Sequence, residues 1–438
     1  MARSLSERLA GLERSTGRDL AAQQADSGTQ KVHRDVEPVL EPETVHAGQV
    51  QSSHPMSPPV HAELGKLGFV PGEENGYFVR VLRYDSLMRH GSRRFADVFQ
   101  SDLTRLAKAS KVGSVPARLV FYDTETTGLG TGAGTFPFLH ALGQFEEDEL
   151  VLYQYFLTDY GAEGAMLDAI HHRHFDFENT AVVTFNGKSF DWPLLKNRMI
   201  LHRKSFSREP GQIDLLHPSR RLWKKSLDRV NLTGVENYVL GLTRTEDLPG
   251  KEAPARYFAY LEHRDPHLVE PVFEHNATDV CSLVSLTSVI ADTLNGVLPV
   301  EHSSEYVALG RWFDEWQEHE QAERCFLAAA TSTDADWTAL WLYSLHSKRF
   351  GDWDEAVRTW LEMVERYPWS SLPLVELAKN AEHQQRDYSQ AEKYTLEALE
   401  RVRTTNRLVS NQLDKIAQAL DYRLQRIRRK RSKRAEGC

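Results

Sequence analysis

The stretch FYDTETTGLGTGAGT, Phe121 to Thr135, admits two readings. Gly128, Gly130 and Ala133 fit the G-x-G-x-x-[GA] pattern of a dinucleotide loop. Asp123 and Glu125 instead offer two carboxylates at the end of a short apolar run, and residues two apart on a strand face the same way. The following residues decide between them. A dinucleotide loop feeds a helix, because the helix N-terminus holds the pyrophosphate. Here the run Phe136 to Leu157 is two β-rich segments about the polar turn EEDE, which reads as a hairpin. Two carboxylates would also repel an arriving anion unless a cation stood between them. Hard oxygen ligands in this position suit Mg²⁺ or Mn²⁺.

Two carboxylates alone are too few for such a site, so others are expected from elsewhere in the chain. Asp191 closes a buried strand and turn, TFNGKSFD, at the start of a predicted helix; an ordinary N-terminal helix acid is the competing reading. In EHNATD, His275 and Asp279 are four apart and share a helix face. Asp279 completes a four-acid set, and the unperturbed pKa of His275 suits a general base. A zinc site would need more His or Cys at regular spacing. The three cysteines show none, and the one histidine cluster, His171 to His174, reads as an exposed helix end.

In this order, D-x-E on a first strand, an Asp after a fourth strand and His-x-x-x-Asp on a late helix resemble the DEDD exonuclease superfamily. The stretches YDTETTGL, TFNGKSFDWPLL, DLLHPSRRLW and EHNATDV, with RYDSLMRHG upstream, more closely resemble the YprB-type ribonuclease H-like proteins. The resemblance covers about residues 76–294. It implies a ribonuclease H-like α/β fold, two divalent ions (Mg²⁺ or Mn²⁺) and removal of nucleotides from single-stranded 3′ ends. It also implies Asp123, Glu125, Asp191 and Asp279 as metal-binding acids, with His275 as the base. One feature departs from the pattern: the His-bearing branch usually has four residues between His and Asp, and this chain has three. Thr126, Gly128 and Leu129 are expected to floor a bound 3′-terminal nucleotide, with Leu129 wedged against a base. Asn186 and Lys188 of NGKS are candidate phosphate contacts, a surface turn being nearly as good a reading. Asp214 reads as a supporting acid or a helix cap.

The rest of the 438 residues sorts around this centre. Residues 1–70 are rich in Gln, Ser, Pro and Glu and read as weakly ordered. A lead-in (71–115) holds a strand at Gly76 to Asp85 and a helical period from Arg94 to Ser110. The α/β domain spans 116–298, with a meander of three strands and then alternating strands and helices. From 303 to 402 the chain is helical and repeats. Ala322, Ala356 and Ala391 recur at spacings of 34 and 35 residues, with Leu309, Gly310, Phe313 and Phe326 at the offsets of tetratricopeptide helix pairs. Such repeats are candidate docking surfaces for a protein partner, and an adaptor carrying a weak nuclease module is the alternative function. The segment 403–438 ends in the basic run RLQRIRRKRSKR against a formal net charge of −9, a candidate nucleic-acid tether. No secretory leader, disulfide framework or membrane span is expected, and a cytoplasmic location is.

Overall fold

The computed structural model describes residues 58–128, 134–244, 248–405 and 410–436. They divide into two compact units, one ending at Glu301 and the other beginning at His302.

The first unit is built on one seven-stranded mixed sheet. Its strands in chain order are β1 (Phe69–Pro71), β2 (Tyr77–Asp85), β5 (Arg118–Thr126), β6 (Pro137–Glu146), β7 (Glu149–Leu157), β8 (Thr180–Thr184) and β9 (Gly211–Asp214). β3 (Arg89–His90) and β4 (Arg93–Arg94) form a separate small hairpin. The spatial order is β1-β2-β7-β6-β5-β8-β9. β5, β6 and β7 are the antiparallel meander expected from the sequence, while β8 and β9 run parallel to β5. An antiparallel strand thus follows the glycine-rich turn, which removes the dinucleotide reading.

The lead-in belongs to this sheet. β2 pairs along its whole length with β7, from Tyr77 opposite Leu157 to Asp85 opposite Glu149. The helical period expected over Arg94–Ser110 is interrupted: β4 ends at Arg94, and two short helices, Asp97–Gln100 and Thr104–Ser110, follow. The weakly ordered reading of residues 1–70 also ends early. Pro58–Lys66 is a helix, and Leu64 and Phe69 are buried against Phe156, Tyr257 and Phe273. Two apolar anchors suffice to hold a segment whose composition is otherwise polar.

Helices cover both faces. Glu163–Ile170 and Asp191–Leu201 pack over Val120, Tyr122, Leu142 and Tyr155. On the other face lies the 25-residue helix Glu270–Leu294. Its length and composition would let it cross a membrane, but 89% of its most apolar window is buried in this unit. It approaches the sheet where β6 has no side chain. A Cβ on Gly143 would stand 2.7 Å from Val280 Cγ1. Gly143 pairs with Phe121 across β5–β6, so this close approach is on the face that carries Asp123 and Glu125.

One expectation about this unit is overturned. His171–His174 is no exposed helix end. The helix widens into a π-helical turn over His171–Phe175, and His174 is fully buried. Its Nε2 is 2.9 Å from Tyr155 Oη and its Nδ1 is 2.9 Å from Gln144 Oε1. Burial pushes its pKa well below the usual value, so it is a neutral core residue.

The second unit consists of helices joined by short turns. Ser303–Glu315 pairs with His319–Thr331, Trp337–Arg349 with Trp353–Arg366, and Leu372–Asn380 with Tyr388–Thr405. Ala322, Ala356 and Ala391 each occupy the fourth position of the second helix in a pair, and all three are fully buried. A Cβ on Gly310 would lie 2.7 Å from the Phe326 ring, so the first pair needs glycine there. The basic run is the last helix, Ser410–Glu436, and its charges are largely paired. Arg423, Arg426 and Lys430 converge on buried Glu382 at 2.7–3.1 Å, while Arg428 and Arg431 bind Glu392. The basic run is thus part of a helix docked on its neighbour through these two glutamates.

Candidate active site

β5 ends at the middle of the sheet, between antiparallel β6 and parallel β8. Ligand sites in sheets of this kind favour the carboxyl ends of parallel strands, and the sequence-predicted acids gather there. Asp123 and Glu125 lie on β5, opposite Ala141 and Leu139 of β6. The register shifts between Glu125 and Thr126, which ends regular pairing directly after the second acid. Asp191 is the first residue of the helix that follows β8, and Asp279 and His275 come from the long helix.

The four acids sense one another. Burial first, then the charges of Asp279, Asp191 and Glu125, push the Asp123 carboxyl well above the usual range. Asp191 is raised to about 6 by burial, with Asp214 and Asp279 adding to the shift. Asp279 is raised by burial, against the pull of His275 and Arg244. Carboxylates forced together out of water disfavour their own ionisation, and a cation relieves this. His275 completes the group: its Nε2 is 3.9 Å from Glu125 Oε1 and 3.8 Å from Asp279 Oδ2.

Each aspartate also accepts a hydrogen bond on one oxygen. Asn276 Nδ2 donates to Asp123 Oδ2 at 2.7 Å, while the amide oxygen of Asn276 accepts from Gln154 of β7 at 3.2 Å. Thr124, on the opposite face of β5 from Asp123, donates to Asp191 Oδ1. Arg244 Nη2 donates to Asp279 Oδ1 at 2.6 Å. The donor set is all hard oxygen, which fits a divalent ion of the Mg²⁺ or Mn²⁺ type. Among the described residues no three acid or histidine side chains close around one point as a finished cage. Three of the carboxylates are turned toward protein donors, and mutual repulsion keeps the group open.

The expected substrate contacts are placed unevenly. Thr126 Oγ1 donates to the Gly128 carbonyl at 2.7 Å, and Thr127 and Phe136 bond across the turn mouth, so this side of the turn is shaped by its own hydrogen bonds. Leu129 lies outside the described residues. Asn186 and Lys188 are exposed at the end of β8, and Asn186 takes a left-handed conformation at φ 71°. Buried Asp214 accepts from the backbone N–H groups of Asn186, Lys188 and Leu216, at 2.8, 3.1 and 3.0 Å. Asp214 is thus both a turn anchor and a cap.

The sequence reading missed Asn276, Arg244 and Glu236. Asn276 had a usable signal, as the neighbour of His275 on a helix expected to meet β5. Arg244 and Glu236 had none: Glu236 opens a π-helical turn, Glu236–Leu240, and Arg244 follows it outside any regular element.

These elements define a ribonuclease H-like domain: a mixed sheet with helices on both faces and acids at the end of the interior strand β5. The RNase_H_2 family of the RNase H superfamily matches residues 120–291. The chain is 34% identical over 375 residues to the uncharacterized protein YprB of Bacillus subtilis (strain 168), covering 82% of this chain and 87% of that one, and it belongs to the YprB family. Among solved structures, a family B DNA polymerase from the archaeon Pyrobaculum calidifontis matches at 15% identity and a TM-score of 0.31, over 54% of this chain and 30% of the polymerase. Exonuclease I matches at 15% identity and a TM-score of 0.28, over 44% of this chain and 45% of its own. The chain thus spans less than half the length of either solved protein, and likenesses of this size transfer no chemistry.

Proposed function

We propose that this protein is a metal-dependent nuclease of the DEDD type, removing nucleotides from single-stranded 3′ ends. The observation that carries the reading is the meeting of Asp123, Glu125, Asp191 and Asp279, from three separated segments, at the end of β5, where burial, with the charges of the other three acids adding to it, raises the Asp123 carboxyl well above its usual range. Charged groups are costly to bury without partners, and a cluster of like charge points to a cation-dependent site. When bound, two divalent ions supply activation of a water and stabilisation of the leaving oxygen of a phosphodiester. Asp123 and Glu125 present their carboxylates from a rigid strand, Asp191 and Asp279 from the ends and flank of helices, so the ligands are fixed before substrate arrives. His275, whose Nε2 lies beside two of the acids, is assigned the role of receiving the water's proton. Asn186 and Lys188, which follow β8, and Thr126 and Gly128, at the end of β5, are assigned to the nucleotide strand.

A panel of end-labelled single- and double-stranded RNA and DNA, incubated with Mg²⁺, Mn²⁺ or EDTA, tests this. Shortening from the 3′ end of single strands with either metal and none with EDTA is expected. Degradation that continues in EDTA, or no degradation of any substrate, sinks the proposal.

A further inference from the structure

Arg244 is the one guanidinium that reaches the acid cluster among the described residues, and it is deeply held. Its Nε donates to Glu236 Oε2 at 2.9 Å and its Nη2 to Glu236 Oε1 at 2.5 Å, a two-pronged pair with a fully buried carboxylate. The same Nη2 donates to Asp279 Oδ1, and Nη1 donates to His275 Nδ1 at 3.4 Å. The planar fork of arginine suits such fixed, multiple donation.

Glu236 offsets the charge of Arg244, so the pair adds little net positive field to the cluster. What it adds is direction. Outer donors of this kind orient the side chains that hold a metal, and their loss typically weakens metal affinity about 10–100-fold. An arginine never accepts a hydrogen bond. The Nδ1 of His275 is the acceptor of this contact, which turns the ring so that Nε2 faces Glu125 and Asp279.

The placement of Arg244 is itself supported. The β3–β4 hairpin lies against both segments involved. Ser92 N donates to the Leu240 carbonyl at 2.9 Å, and a Cβ on Gly91 would stand 2.4 Å from that oxygen. On its other side His90 Nε2 is 2.7 Å from Ser282 Oγ, and Arg93 Nε donates to Ser288 Oγ at 3.1 Å, both on the long helix. One hairpin thus ties the Glu236–Leu240 turn to the helix of His275 and Asp279.

We propose that Arg244, anchored by Glu236, is a positioning residue that presents Asp279 and His275 to the metal and to the reacting water as one unit. This deepens the nuclease reading and rests on it for its kinetic arm only. The test compares the full-length protein with Arg244→Lys, which keeps the charge and loses the fork, and Glu236→Gln, which touches neither Asp279 nor His275. Mn²⁺ binding is followed by electron paramagnetic resonance, kcat and KM by digestion of a 3′-labelled single strand, and folding by thermal denaturation. Arg244→Lys is expected to weaken Mn²⁺ binding about 10–100-fold and to lower kcat with KM little changed. Glu236→Gln is expected to move the same quantities in the same direction, and the double variant to add little. Folded variants with wild-type Mn²⁺ affinity and kcat overturn the proposal, as does tighter Mn²⁺ binding by Arg244→Lys. If either variant fails to fold, Glu236→Asp, which keeps the charge but shortens the anchor, replaces it under the same criteria. A wild-type protein that binds Mn²⁺ but degrades nothing sinks the nuclease reading alone, and the Mn²⁺ comparison then decides the role of Arg244.

Discussion

Charge is buried in two places, with opposite balance. Around Glu382, one fully buried carboxylate is ringed by Arg423, Arg426 and Lys430, with His383 beside it, and these partners hold its pKa down at about 2. At the end of β5, four acids share Arg244 and His275, and Asp123 is driven the other way by burial and like charge. The first arrangement is satisfied by the chain itself and serves to dock the last helix. The second is left short of positive charge by its own residues, which structural ion pairs avoid and cation-binding sites require. Burial alone does not separate function from scaffold; the sign of the residual charge does.

Substitutions should break this contrast in a graded way. The largest effect is expected at Asp191 or Asp279. Replacement by Asn should lower metal-dependent degradation about 10²–10³-fold, since each supplies charge to the site that electrostatic stabilisation depends on, while the thermal stability of Asp191→Asn holds or rises as repulsion is relieved and that of Asp279→Asn falls with the loss of its pair with Arg244. A kinetic assay paired with a melting curve checks both halves. Next comes Glu382→Ala, expected to cost about 2–3 kcal/mol in denaturant unfolding of the helical unit. That is below the ~3–5 kcal/mol of a fully buried pair, because Arg426 and Lys430 are 30% and 37% exposed and can rehydrate. Seven of the nine tryptophans lie between Trp312 and Trp369, so fluorescence follows this unit.

Gly143→Ala should cost ~1–3 kcal/mol by forcing the long helix off the sheet, and should lower activity by moving Asp279 away from Asp123. Unchanged activity and stability would remove the close approach from the account. pH offers a gentler probe. The folded pKa of Glu382 lies below its ordinary value of 4.5, so its contribution is complete above that value and is lost as pH falls toward about 2. The wild-type helical unit should therefore lose stability between about pH 5 and 2 more steeply than Glu382→Gln, as read by tryptophan fluorescence.

Much of the fold was legible in the sequence, for physical reasons that particular residues show. The alternation around EEDE announced the β6–β7 hairpin, and the spacing of Ala322, Ala356 and Ala391 announced the helix pairs, because small residues must recur where helices touch. The acids could be picked out because D-x-E on a strand and His-x-x-x-Asp on a helix each fix a shared face. What stayed hidden depended on partners far along the chain. Arg244 looks like any surface arginine until Glu236 and Asp279 close on it. His174 looks exposed until a π-helical turn swings it inward. The basic run looks free until five of its side chains close on Glu382 and Glu392. Period and spacing describe one segment at a time, and these roles arise between segments.

The central claim is that Asp123 belongs to a cation-dependent hydrolytic centre. Wild-type protein and Asp123→Asn should be incubated with a 3′-labelled single-stranded oligonucleotide across a Mn²⁺ titration. The account predicts Mn²⁺-dependent shortening by the wild type and none by the variant at any Mn²⁺ concentration, with both proteins folded. Equal, metal-dependent degradation by Asp123→Asn would contradict it.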